Sequence, residues 1–414
     1  MKNLLILTYW SYKDALIQTY TLPYVRIIRK NLPQKSKIYL FTIEQEFFKM
    51  SDEDWQQEKE TLKKENIHLL RFKYLKFGIK MILKFILIFA NLFFLIHFKR
   101  ISKIHAWCTP AGAIGYVLSV LTFRPLIIDS YEPHAESMLE NGEWTNSSKA
   151  YKILFWLEKR MSIRAKTVIA LTQGMKQYAK EKYKTKFDNY YVKPSLVDLQ
   201  KFSIDKLKDE SLELQLDLDG KMVCLYAGKF GGIYLEQEVF EFLSEAYNYW
   251  GDKFRTLLLT NKPENEIREL TKTYNIPQKS IKIMFVNYAE IEKYFELADF
   301  AINPVKPVPS KKYCTSIKDG EYWATGLPVI ITNDISDDSD IIEKEDIGYV
   351  LKELTPNEYK NAIQKIDSLL KQDKAILKQK IRNIAVKYRS FAIAEKIYNE
   401  IYGKTSNCKK TSRK

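Results

Sequence analysis

The sequence is poor in the residues that build metal sites and disulfide frameworks. Four cysteines occur in 414 residues, Cys108, Cys224, Cys314 and Cys408, far apart and with no CxxC pair. That excludes a zinc ribbon or a disulfide-stapled scaffold and fits reduced thiols in a cytosolic protein. Four histidines, His68, His97, His105 and His134, lack the spacing of a ligand set. Acidic residues are absent from the whole stretch between Arg71 and His105, which holds eight basic ones. No uncharged apolar run reaches the roughly twenty residues of a membrane span, since the longest such segment here, Phe85 to Phe98, has fourteen. The start, MKNLLILTYW, lacks the apolar core and small-residue cleavage site of a signal peptide and reads as a first strand. Neither GxGxxG nor the P-loop pattern is present.

What is present is a hydrophobic fraction of 46%, ordinary for a globular chain, and a net charge of +15. The length exceeds what one core supports, so two domains are expected. The charge calls for an anionic partner. No nucleic-acid module is recognisable, and the basic residues sit beside the apolar run, which suits anionic lipid better than nucleic acid. Lys73, Lys76, Lys80 and Lys84 are spaced to stack on one face of a helix near 73–98. Two readings stand for this segment: a helix lying in the bilayer interface, or a core helix with a solvated start.

Strand and helix patterns alternate through the first half. Strands are expected at Leu4–Thr8, Lys37–Thr42, His68–Phe72, Ile104–Cys108, Pro125–Asp129 and Thr167–Leu171. Helices are expected at Leu16–Arg29, Asp52–Lys64, Ala111–Leu121 and Lys149–Arg164, with Gly112 and Gly115 permitting close packing of the third. The alternation restarts at Met222–Ala227 and continues through strands at Arg255–Thr260, Ile281–Phe285, Phe300–Asn303, Val329–Thr332 and Gly348–Leu351. Helices are expected there at Leu235–Trp250, Glu264–Tyr274, Glu290–Asp299 and Pro356–Leu370. Apolar strands alternating with helices imply parallel sheets covered on both faces. The expected class is therefore α/β, with two doubly wound Rossmann-like domains facing a cleft. The domains divide as 1–200 and 201–374, with a linker near 194–220. A terminal helix over 375–402 returns to the first domain, and a basic tail, 403–414, is expected to be disordered.

Three constellations carry chemistry. Ser316 is a plausible N-cap for a short helix in which Lys318 and Glu321 share a face, with Gly326 and Pro328 ending it. The ammonium suits anionic oxygen, and the carboxylate can accept both hydrogen bonds of a ribose diol. The same spacing also describes a solvated ion pair worth about 0.2–0.5 kcal/mol. After Met222–Ala227 comes Gly228-Lys229-Phe230-Gly231-Gly232, where the backbone can approach a phosphate and amides lead into a helix. An ordinary strand–helix turn has the same composition. Glu132 and His134 follow the strand Pro125–Asp129, at the carboxyl end where ligands bind in open α/β sheets. They read equally as a capped turn with surface polar groups.

Taken together, LYAGKFGG (Leu225–Gly232), YFELADFAINP (Tyr294–Pro304), SIKDGEYWATGLPVI (Ser316–Ile330) and VKPSLVDLQKF (Val192–Phe202) make the chain resemble the family 4-type glycosyltransferases of the GT-B fold (glycosyl transferases group 1). The resemblance implies a second domain that holds the nucleotide of an activated sugar and a first that receives the acceptor. It implies Glu321 on the ribose, Lys229 on the diphosphate with Gly228, Gly231 and Gly232, and Lys318 near the nucleotide end. Glu132 and His134 would then serve the donor sugar or acceptor as catalytic groups. Retention at the anomeric carbon is implied, with a nucleotide sugar as substrate, a glycan or lipid-linked acceptor, and no cofactor. Cationic groups aimed at the departing diphosphate make the transfer metal-independent. Work at the inner face of the cell membrane, in capsule, exopolysaccharide or lipopolysaccharide assembly, is the setting that follows. Departures from the family pattern are Tyr313 where a second glutamate often stands, Tyr234 near a second basic position, and the glycine-free Tyr9–Asp14 loop. They leave open a non-catalytic membrane-associated α/β protein that binds nucleotide or polysaccharide.

Overall fold

The computed structural model describes residues 2–74, 79–206 and 208–403. The chain folds as two compact units: Met1–Glu136 with Thr145–Lys193 and Phe391–Lys414, and Ser137–Trp144 with Pro194–Ser390.

The first unit is built on a seven-stranded sheet. In chain order its strands are β1 (Asn3–Leu7), β2 (Ile38–Glu44), β3 (Ile67–Lys73), β4 (Ile101–Trp107), β5 (Leu126–Tyr131), β6 (Ala165–Ala170) and β7 (Tyr190–Val192). They are ordered β3-β2-β1-β4-β5-β6-β7, with every pairing parallel. Parallel strands covered on both faces are mostly apolar, and β1, β2 and β5 are buried at every position. The intervening helices are α1 (Leu22–Asn31), α2 (Asp52–Lys64), α3 (Ile79–Phe98), α4 (Cys108–Thr122), α5 (His134–Glu140, counted with the second unit from Ser137 on), α6 (Lys149–Arg164) and the short α7 (Met175–Tyr178). A π-helical turn, Leu16–Thr21, precedes α1 where a single helix was expected. Pro23 lies just beyond it and removes one backbone donor from the ladder. Gly112 and Gly115 do allow close packing. A Cβ on Gly112 would lie 2.7 Å from Met161 Sδ of α6, and one on Gly115 would lie 2.9 Å from Leu126 of β5.

The lysine stripe is corrected by the structure. Lys73 ends β3 and does not belong to the helix, which opens at Ile79. Lys76 lies outside the described residues, as does the tail beyond Gly403. Among the described residues, no helix is long and apolar enough to cross a membrane.

The second unit contains α8 (Glu210–Gln215) and a six-stranded sheet of β8 (Met222–Ala227), β9 (Phe254–Leu259), β10 (Ile281–Met284), β11 (Phe300–Asn303), β12 (Val329–Thr332) and β13 (Gly348–Leu351). The order is β10-β9-β8-β11-β12-β13, again with parallel pairings. Its helices are α9 (Gln237–Trp250), α10 (Glu264–Thr273), α11 (Ile291–Phe295), α12 (Ile317–Ala324), α13 (Asp338–Glu345), α14 (Pro356–Leu370) and α15 (Lys374–Arg389). Strand order reverses between β8 and β11, the topological switch at whose carboxyl edge open α/β sheets bind ligands.

The expected single terminal helix is two. It stops at Arg389, whose carbonyl accepts from Val197 N–H at 2.9 Å, and Ser390 is extended at φ −73, ψ 142. The chain then re-enters the first unit as α16 (Ala392–Tyr402), packed on α1. There Tyr398 hydroxyl donates to Asp129 Oδ2 at 2.6 Å, and Lys193 Nζ lies 3.1 Å from Asp129 Oδ1. His105 contacts the same carboxylate at 3.2 Å. These neighbours hold the fully buried Asp129 carboxyl down near 2, against the upward push of burial.

Candidate functional site

The site grows from α12. Its interior carries Asp319 and Gly320, two poor helix formers, so tertiary contacts must hold it. Tyr322 and Trp323 are wholly buried, and the Tyr322 hydroxyl accepts from Ala227 N–H at 3.1 Å, which fixes the helix against the end of β8. Gly320 is required by close approach, since a Cβ there would lie 2.8 Å from Val197 Cγ1 and 3.2 Å from Arg389 Cγ. Gly326, at φ 75, closes the helix with its N–H on Trp323 O, while Leu327 N–H reaches Tyr322 O. Ser316 does occupy the N-cap with extended backbone, but its hydroxyl makes no capping bond, contrary to the role expected of it.

This anchoring brings Lys318 to the glycine loop. A Cβ placed on Gly228 would lie 2.4 Å from Lys318 Nζ, so only glycine lets the ammonium come this close. The same ammonium lies 3.8 Å from the centroid of the Tyr234 ring. Gly228 N–H donates to Leu259 O at the end of β9, and the Tyr226 hydroxyl donates to the Lys229 carbonyl. Gly231 (φ 76) and Gly232 (φ 61) are both left-handed, which their lack of Cβ makes cheap. The Lys229 side chain is exposed.

The amides expected to cradle phosphate at the head of the following helix are otherwise engaged. Tyr234 N–H bonds Gly231 O at 3.1 Å and Leu235 N–H bonds Pro304 O at 2.8 Å. Helix α9 starts two residues later than expected, with Glu236 at its N-cap and Glu238 in its first turn. Those carboxylates take the favourable field of that terminus.

Glu321 follows Lys318 by one turn and is 4% exposed. Its Oε1 accepts from the Tyr288 hydroxyl at 2.9 Å. Burial pushes the carboxyl up to about 7, although Tyr288, Lys318 and Lys201 all favour its ionised form. Lys201 supports Tyr288 from below, donating to its carbonyl with the ammonium 3.9 Å from its ring centroid. Sequence reading missed both residues. Tyr288 meets Glu321 across 33 residues, and only its place just beyond β10, at the same carboxyl edge, offered a signal.

A second buried group underlies the helix. Asp319 accepts from Asn303 Nδ2 at 2.8 Å and faces Asp338, which receives Arg389. Burial, then the neighbouring Asp338 charge, raises the Asp319 carboxyl far above the usual range, so the pair holds a proton. Nearby, Lys311 Nζ donates to Ser137 Oγ at 3.2 Å, and Ser310 N–H donates to Glu140 at 2.8 Å. These contacts tie the loop that leads to Tyr313 onto the Ser137–Trp144 segment.

In the first unit, Glu132 and His134 come together, with His134 Nδ1 3.5 Å from Glu132 Oε1 and both side chains part-exposed. His134 opens α5. Its turn is held by Glu158, which accepts from Ala135 N–H and the Tyr183 hydroxyl, each at 2.9 Å. Burial raises that carboxyl to about 7. The strand runs two residues beyond the expected end at Asp129, so Ser130 and Tyr131 are buried within β5, where the Tyr131 hydroxyl bonds Glu158 O and Ser162.

No family model and no curated protein matches the sequence. Solved structures do match over nearly the whole chain. HepE from Anabaena, in complex with UDP, aligns with TM-score 0.69 at 15% identity, covering 97% of this chain and 99% of its own. A glycosyltransferase from Rickettsia africae gives 0.68 at 16%, covering 97% of each chain. WaaG, a glycosyltransferase involved in lipopolysaccharide biosynthesis, gives 0.67 at 12%, covering 97% of this chain and all of its own. With its seven- and six-stranded parallel sheets, the chain has the GT-B fold of these glycosyltransferases.

Proposed function

We propose that the protein is a hexosyltransferase-type glycosyltransferase that takes a sugar from a nucleotide sugar and passes it to a glycan or lipid-linked acceptor. The observation that carries this reading is the meeting of Lys318 with the Gly228 loop at the β8/β11 switch, with the buried Glu321 one turn behind. A ribose diol donates two hydrogen bonds, and an ionised carboxylate shielded from water accepts them strongly. Glu321 takes that role, with the Tyr288 hydroxyl fixing its rotamer. The diphosphate that follows the ribose falls to Lys318, Lys229 and the turn at Gly228, Gly231 and Gly232.

In transfer, the bond between the sugar carbon and the diphosphate oxygen breaks, and negative charge grows on that oxygen. Lys318 and Lys229 stabilise it by their positive charge, a task that requires no metal ion. The second unit thus serves the donor, and the first serves the acceptor through Glu132 and His134. Retention at the anomeric carbon belongs to this reading. So does a place at the cytoplasmic face of the cell membrane, in cell-surface polysaccharide assembly. HepE binds UDP and WaaG acts in lipopolysaccharide biosynthesis, which supports this substrate class and setting.

The test is a thermal-shift screen of nucleotide sugars in the presence of a chelator, on the natural protein and on Glu321→Ala. One nucleotide sugar should raise the melting temperature of the natural protein with metal removed, and Glu321→Ala should lose the rise while still melting cooperatively. Equal rises in both proteins would remove Glu321 from the ribose.

A further inference from the structure

Three helices lie side by side along one face of the first unit's sheet: α3 packs on α4 and β4, and α4 packs on β4, β5 and α6. Their outward faces carry apolar side chains. On α3, Leu87, Phe94 and Phe98 form one exposed stripe at helical spacing, the last 79% exposed. On α6, Ile153, Trp156 and Ile163 form another, with the Arg160 guanidinium 5.4 Å from the Trp156 ring centroid. At the end of α4, Phe123 is 85% exposed and adopts φ 57, ψ 19, a left-handed conformation that a bulky residue adopts only under constraint. Single exposed apolar residues are ordinary, but stripes on two helices, with Val120, Leu121 and Phe123 exposed at the end of the helix between them, are not.

The exposed charge on these three helices is of one sign. No acidic residue occurs between Glu65 and Asp129, and Asp129 is wholly buried. In α6 the single acid is Glu158, also wholly buried. Basic groups flank the stripes: Lys99 and Arg100 after α3, Arg124 after α4, and Lys152 and Arg160 on α6. Apolar side chains ringed by cations, with tryptophan and arginine together and no exposed carboxylate on the three helices, complement a bilayer rich in anionic lipid.

We propose that the outer face of α3, α4 and α6 is the surface by which the protein docks on an anionic membrane. Phe123 and Trp156 enter the headgroup boundary, and Lys152, Arg160 and their neighbours meet lipid phosphates. The inference deepens the membrane-surface reading above and rests on it for its biological setting. It replaces the lysine stripe on one helix with a face of three.

The test is flotation with phosphatidylcholine vesicles, with and without phosphatidylglycerol. The natural protein should bind the anionic vesicles and lose most of that binding in high salt. Phe123→Ser combined with Trp156→Ser should lower the partition coefficient at least about tenfold. Lys152→Glu combined with Arg160→Glu should lose the preference for phosphatidylglycerol. Nucleotide-sugar thermal shift, run on the same variants, should be unchanged, so failure at the membrane is distinguishable from failure of the donor site. Equal binding by all variants would overturn the proposal. So would a natural protein that ignores both vesicle types and sediments as a dimer which these substitutions dissociate.

Discussion

Replacing Glu321 by glutamine tests the central carboxylate without emptying its space. In the fold this carboxyl keeps its proton up to about 7, against an ordinary value of 4.5. The folded state therefore binds more protons than the unfolded state between those values, and its stability falls as pH rises through that window. At about 1.4 kcal/mol per pH unit, the fall is about 3 kcal/mol by pH 8. Glutamine cannot ionise, and its amide oxygen can still accept from Tyr288. The melting temperature of Glu321→Gln should thus gain on that of the natural protein as pH rises from 4.5 to 8. The gain is roughly 6–12 °C for a unit of this size. Nucleotide binding should move the other way. A diol prefers the ionised carboxylate, so affinity for the nucleotide sugar should fall about tenfold in the natural protein between pH 8 and pH 6. The diphosphate diester keeps its charge over that range. In Glu321→Gln the affinity should be pH-independent and about tenfold to a hundredfold weaker. Melting curves across pH and titration calorimetry at pH 6 and 8 read both effects. Parallel melting profiles would show that Glu321 is not the strained, buried acid described above. A variant with undiminished affinity would free the ribose from it.

Gly228→Ala would place a Cβ 2.4 Å from Lys318 Nζ, and the flexible ammonium must swing away. Donor affinity should drop about tenfold, the worth of one charge-assisted hydrogen bond, with melting little changed. Adding Lys318→Met to Gly228→Ala should cost nothing more, whereas additive losses would separate the two residues. His134→Ala should lower turnover on the order of a hundredfold while leaving donor affinity in calorimetry intact. A weakened donor complex would instead make His134 a binding residue.

Much of the scaffold was legible because parallel, covered strands are short apolar runs with sharp ends. The bounds of β8, β11, β12, β13, α2, α6 and α14 follow from the sequence to the residue. Gly326 and Pro328 punctuate the end of α12 in the way their backbone chemistry requires. What escaped depends on partners distant in sequence. Nothing local near Ser390 announces a break, because the helix ends where Arg389 is caught by Asp338 and Val197. The lysine spacing from 73 to 84 fits a helix, but Lys73 is claimed by strand pairing with Glu44. The glycine loop was visible, yet the engagement of Tyr234 and Leu235 by carbonyls was not, since one of those carbonyls belongs to Pro304. Spacing pairs Lys318 with Glu321, and the family resemblance gives the pair its expected role. Spacing could not tell a solvated pair from this one, in which Glu321 is buried and Lys318 sits on a glycine.

That distinction has a physical consequence for the site. Two of the eight residues of α12, Asp319 and Glu321, are buried carboxyls, and each is raised by desolvation. A helix chosen for stability would carry leucine or alanine there. The two acids are handled differently. Asp319 accepts from Asn303 and faces Asp338, which receives Arg389, a buried set of polar groups beneath the helix. Glu321 is met by a Tyr288 hydroxyl and lies toward the edge where Lys318 crosses Gly228. The first arrangement pins α12 in place, together with the glycine that lets Arg389 pass. The second leaves a carboxylate whose desolvation is only part-compensated, so that two hydroxyl donors from a ligand would recover what the empty fold lacks. If Glu321 holds the ribose as proposed, the stability lost there is the reserve from which donor binding would draw, and a substitution that makes this unit more stable at that position should make it a poorer receptor for a ribose.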